Sequence, residues 1–215
     1  MSRLSALIVL GLLFAFAAPV SAATSTGYNG TAAAQYADTY WNSYNRAYPS
    51  FANKGGDCTN FVSQALYAGG IKMRTSPTYS GNAAWYMLQN RKSYSWSVTW
   101  VNAQDNSIFL QQYLLPGAIK VVADVYGRAP GETVSDGNAQ PGDVVLYDWN
   151  NDGTFDHEAI ITASDGTTNT DGSTNYDLVD AHTNNRYHAY WTLAQYNTSW
   201  ATTHIIVLHI PAGTS

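Results

Sequence analysis

The chain has a single cysteine, Cys58, among 215 residues. An intramolecular disulfide framework is therefore excluded, and the thiol is either a small buried hydrophobe or a free reactive group. Charge is also scarce: Asp, Glu, Lys and Arg make up 12% of the residues, with 10 basic against 15 acidic side chains and a net charge of −5. Without a basic excess, non-specific attraction to nucleic acid or anionic lipid is not expected. A neutral or cationic extracellular polymer suits this balance better. Long apolar runs are missing after residue 20, so no integral membrane segment is expected beyond the N-terminus. Internal repeats and a convincing linker are missing too.

What is present begins with an export-like leader. Arg3 supplies a short positive region, residues 4–19 are nearly all apolar, and Val20-Ser21-Ala22 is a small-residue cleavage pattern. Residues 1–22 are expected to be a signal peptide and 23–215 a single domain, long enough for its own core. Secretion to the extracellular space or cell wall, as a monomer, is the expectation. In that oxidising setting a solitary thiol is uncommon. Aromatics are abundant, with 16 Tyr and 7 Trp, a composition that serves cores and sugar- or peptide-binding surfaces alike.

Periodicity predicts helices first. Residues 32–48 place Tyr36, Tyr40, Tyr44 and Ala47 on one stripe before Pro49. A second helix is read over residues 59–68, stopped by Gly69-Gly70. Residues 83–90 and 102–115 are further helical candidates, the latter closed by Pro116-Gly117. After Gln140 the pattern changes to short runs rich in Val, Ile and aromatics, at 143–147, 158–163, 177–181, 189–192 and 204–210. Helices followed by strands give an α+β domain, with N-terminal helices packed on a C-terminal antiparallel sheet.

Cys58 stands in Gly55-Gly56-Asp57-Cys58-Thr59-Asn60-Phe61, at the predicted start of the second helix. A helix start presents unpaired amides and the positive end of the dipole, both of which favour thiolate over thiol. A thiol nucleophile needs a base, and a third group that orients the base. His157 is the strongest candidate base, because it opens a strand after a turn-rich loop and so sits at the sheet rim. Strand alternation puts Asp180, His182 and Asn184 on one face, and any of them could bond the second ring nitrogen of His157. His188, His204 and His209 read as structural.

These segments resemble a known group. Gly56-Asp57-Cys58-Thr59-Asn60-Phe61-Val62-Ser63-Gln64, Pro141-Gly142-Asp143-Val144-Val145-Leu146-Tyr147, Asp156-His157-Glu158-Ala159-Ile160-Ile161 and Ala181-His182-Thr183-Asn184 are similar to the putative amidase domain family of secreted bacterial proteins. That family is related to the NlpC-type cell-wall peptidases and the CHAP amidohydrolases. The resemblance implies a papain-like fold with Cys58 as nucleophile and His157 as base. The NlpC-type pattern implies Asp180 as the third member, whereas the amidase pattern implies His182. The implied activity is hydrolysis of amide or peptide bonds, with cell-wall peptidoglycan as the substrate. The competing reading is a non-enzymatic module that grips cell-wall glycan; a metal-dependent amidase using His157, His182 and Asp148 is a third.

One loop suggests a cation. Asp148, Asn150, Asp152, Thr154 and Asp156, with Gly153, match the opening of a calcium loop, but Ala159 stands in the twelfth place, where a bidentate Glu belongs. No cofactor is expected to be required. Any calcium here would be structural, stiffening the loop that carries His157, and the metal-free alternative is a connection closed by Asx-turns.

Overall fold

The computed structural model describes residues 27–134 and 139–214. The leader expected over residues 1–22 lies outside them. Among the described residues no helix is long and apolar enough to cross a membrane.

Helix α1 (Gly30–Tyr40) is capped by Asn29, whose side-chain oxygen accepts the Ala32 N–H at 3.1 Å. It ends eight residues before the stripe of aromatics predicts. The Tyr40 carbonyl accepts from His182 Nε2 at 2.8 Å and from the Ser43 amide at 3.1 Å. Asn45 Oδ1 takes the Ala47 N–H, a local bond that competes with helix continuation. Helix α2 (Cys58–Ala68) stops where the two glycines predict. Gly70, at φ +109°, donates to Tyr67 O and Ile71 donates to Leu66 O, which satisfies two terminal carbonyls.

Residues 83–90 are not helical. Trp85 exchanges two backbone hydrogen bonds with Arg74, holding the chain extended, and β1 (Met87–Asn90) then pairs with β2 (Ser93–Trp96) around Arg91-Lys92. The helix expected at 102–115 is built from α4 (Ala103–Ile108) and a wide π-turn segment, Phe109–Leu114, and a short α3 (Val98–Val101) precedes it.

The main sheet has six antiparallel strands in the order β3-β8-β4-β5-β6-β7. They are β3 (Lys120–Tyr126), β4 (Val144–Asp148), β5 (His157–Ala163), β6 (Leu178–Ala181), β7 (Arg186–Tyr190) and β8 (His204–His209). Five match the predicted runs, with β7 three residues early. The edge strand β3 is additional. The chain is thus α+β, helices against an antiparallel sheet.

Both sheet faces are buried. Val144, Leu146, Ile160 and Leu208 pack with Phe61, Val62, Ala65 and Leu66 of α2 and Ala33 and Ala37 of α1. The alternate residues Val145, Tyr147, Ala159, Ile161 and Val207 pack instead with Trp191, Leu193 and Val134. Alternation along each strand assigns neighbours to opposite cores. The entry to β4 is fixed by close backbone approach: Gly142, at φ +91°, leaves no room for a Cβ, which would meet Gly30 Cα at 2.4 Å. Tyr28 Oη donates to Gly142 O at 2.6 Å.

Candidate active site

The residues before α2 set the position of its first turn. Gly55 and Gly56 both have positive φ, so the chain turns sharply into Asp57. A Cβ on Gly56 would lie 3.0 Å from Thr183 Oγ1, and that hydroxyl accepts the Asp57 N–H at 2.8 Å. The Asp57 side chain is buried. Its Oδ1 accepts from the Phe51 amide at 2.7 Å and from Asn60 Nδ2 at 3.0 Å. Its Oδ2 meets His182 Nδ1 at 2.9 Å.

His182 completes this fastening. The ring lies parallel to Phe61 at 4.0 Å between centroids, and Nε2 faces the Tyr40 carbonyl. Both ring nitrogens thus have a partner within hydrogen-bond distance. The pair therefore bolts the end of β6 to the start of α2 and the end of α1. With both nitrogens engaged, His182 does not orient His157.

Cys58 is the first residue of α2, 9% exposed, with Sγ 3.8 Å from Thr59 Oγ1. His157 is the first residue of β5, opposite Tyr147, and its ring packs 5.5 Å from both Tyr147 and Trp149. Both Cys58 and His157 line one cavity of about 460 Å³, together with Gly55, Trp149, Asn184 and Arg186. Among the described residues no hydrogen bond joins the thiol to the ring. The cavity opens at the sheet rim, where the helix-side and far-side cores meet.

Burial pushes the His157 imidazole down to about 4, helped by the nearby Arg186 charge and opposed by Asp156. The ring is neutral at pH 7 and can accept a proton. Because its folded value lies below the ordinary 6.5, the unfolded chain binds more protons between these two pH values. Stability is accordingly full above about pH 6.5 and falls as pH drops towards about 4, by about 3 kcal/mol for this group. Denaturant melts of wild type and His157→Gln at pH 7 and pH 4.5 should show the larger loss in wild type. Equal losses would mean that the ring does not carry this pH dependence.

Sequence reasoning missed Glu158. It alternates with His157 towards the helix side, is fully buried, and accepts from Asn106 Nδ2 at 3.1 Å through Oε2, while Oε1 has no partner. Burial first, and the charge of Cys58 second, push its carboxyl well above the usual range. A polar residue inside a strand gives no local sign that it faces a core.

Asp180 is also fully buried, away from this cavity. Its Oδ1 accepts the His188 N–H at 2.8 Å and Thr162 Oγ1 at 3.3 Å. Of the three candidates for an orienting group, Asn184 alone lines the cavity. The shared face expected for them breaks because β6 ends at Ala181 and Thr183 has φ +78°.

The Asp148 loop folds onto itself. Asp148 accepts from the Asp152 and Gly153 amides, Asp152 from the Thr154 amide, and Asp156 from the Trp149 amide, while Asn150 bonds Asp152. These are Asx-type closures. Among the described residues, the acidic groups of this loop do not converge on a common point as cation ligands would. The loop is closed by its own hydrogen bonds, as in the metal-free alternative.

The family described as "Putative amidase domain" matches residues 27–206. Two Bacillus subtilis (strain 168) proteins are similar. Uncharacterized protein YhbB is 34% identical over 165 residues, which cover 77% of this chain and 44% of that protein. Uncharacterized protein YjcM is 37% identical over 153 residues, 67% of this chain and 30% of that protein. The chain thus spans less than half the length of either relative. No solved structure matches it.

Proposed function

Since the chain belongs to the Putative amidase domain family, we propose that it is a secreted cysteine amidohydrolase that cleaves amide or peptide bonds in bacterial cell-wall peptidoglycan. One observation carries the reading: the first residue of α2, Cys58, and the first residue of β5, His157, open onto the same cavity.

In this mechanism neutral His157 takes the Cys58 thiol proton, and the thiolate adds to the amide carbonyl. The Cys58 backbone N–H, in the first helical turn, is the assigned oxyanion donor. His157 then gives its proton to the leaving amine as the C–N bond breaks, and a water deprotonated by His157 hydrolyses the thioester. Nucleophile and base that stand apart in a free enzyme commonly tighten only with substrate bound, so ring rotation of His157 towards the sulfur belongs to the first step. Asn184 takes the orienting role on this reading. Asp57 and His182 hold α2 in place. A papain-like arrangement, with monomeric action outside the cell, completes the proposal.

Purified peptidoglycan digested with wild type and with Cys58→Ala, followed by mass analysis of the released fragments, tests it. New amine and carboxyl ends released only by wild type are the expected result and identify the bond. Retention of the protein on the wall with no new fragment from any wall type would replace hydrolysis with glycan binding.

A further inference from the structure

Three ionisable side chains far apart in sequence converge outside the cavity: Asp38 on α1, Asp180 on β6 and His188 on β7. One donor atom from each lies within 4.8 Å of the other two. His188 Nε2 stands 2.9 Å from Asp38 Oδ1. Asp180 is completely buried, and with Oδ1 occupied by His188 N–H and Thr162, its Oδ2 is sealed from solvent without any hydrogen-bond donor. A carboxylate oxygen buried without a donor is costly unless a cation or a proton satisfies it.

We propose that Asp38, Asp180 and His188 form a binding site for a divalent transition-metal ion, zinc by preference, that clamps α1 to the β6–β7 edge of the sheet. The donor set argues for zinc. Two carboxylate oxygens and one imidazole nitrogen suit it, whereas calcium takes oxygen ligands. Ligands about 2.0–2.2 Å from a tetrahedral ion lie roughly 3.3 Å apart, within the spacing these three groups already have. The Asp38 and His188 side chains are 37% and 32% exposed, which gives the ion a path in and leaves water as the fourth ligand. Two residues beyond Asp180, His182 reaches Asp57, so the clamp also braces the segment leading into Asn184. The role is structural and independent of amide hydrolysis.

The test uses the whole protein, stripped with a chelator and titrated with zinc chloride by calorimetry and thermal melting, with calcium chloride as the contrast. One zinc per chain, a melting temperature raised by several degrees, and little response to calcium are expected. Asp38→Asn and His188→Gln, both at partly exposed positions, should each weaken zinc binding at least 10-fold, while Cys58→Ala should leave it unchanged. No stoichiometric zinc, or zinc lost in Cys58→Ala but retained in both cluster variants, would overturn the proposal. In the first case a proton shared between the carboxyls satisfies Asp180; in the second the ion belongs to the cavity.

Discussion

Cys58→Ala is expected to lower amide hydrolysis by at least ~10³-fold while leaving the fold intact. Removing a covalent nucleophile leaves only substrate binding and oxyanion stabilisation, and nucleophile and base that act as a unit lose activity together. His157→Ala should therefore cost a comparable factor, and the double variant should be little worse than either single one. Sub-additivity of this kind separates a working pair from two residues that merely shape the cavity. Stability should change little, because the substitution removes one sulfur whose contact with Thr59 Oγ1 is a weak one at 3.8 Å. Release of new amine groups from peptidoglycan, measured alongside melting temperature, reads both quantities. More than a tenth of wild-type activity in Cys58→Ala would remove the thiol from the mechanism. A rate abolished by chelation instead would move the chemistry to a metal.

Asp57→Ala should be the most damaging single substitution for stability near the site. It strips acceptors from the Phe51 amide, Asn60 Nδ2 and His182 Nδ1 at once, and leaves a ring that is 3% exposed without its carboxylate partner. Removing one partner of a buried polar pair leaves the other desolvated and unpaired. A loss of about 3–5 kcal/mol follows, on the order of 10 °C in melting temperature for a domain of this size. His182→Ala should lose a similar amount. Asp57→Asn keeps an acceptor for Phe51 and should fall between. Thermal melts decide the matter: a shift within about 2 °C for Asp57→Ala would show that the pair is not the fastening described. Activity lost in Asp57→Asn without any loss of stability would give the carboxylate a part in the chemistry.

Helix α2 was legible because its signals are local: glycines before it, apolar spacing within it, glycines after it. The end of α1 was not, because what stops it is His182, which lies 142 residues away and captures the Tyr40 carbonyl. Residues 83–90, which hold β1, read as helix because a short apolar run supports either period, and the bonds between Trp85 and Arg74 that hold the chain extended are tertiary. Strand β3 went unread because it is an edge strand with mixed exposure, defined by pairing with β8 some 80 residues later. At the site, Cys58 and His157 were readable from their flanks. The neighbours that set their electrostatics, Glu158 and Arg186, were not, since strand parity alone does not say which face a charged residue meets. Asp180 and His182 share a parity with Asn184 only while the strand lasts, and Thr183 ends it.

The doubly covered sheet bears on how the protein breathes. All five residues of β4 are buried, and β4 lies between β5 and β8, so its amides can exchange with solvent deuterium only through the largest, nearly global opening. His157 is carried by the adjoining strand and Cys58 by a helix packed directly on that layer. Sub-global openings would therefore spare Cys58 and His157 and fall on the outer rim, at β3, β7 and the loops around the cavity. Substrate entry can then draw on loose walls without loosening Cys58 and His157.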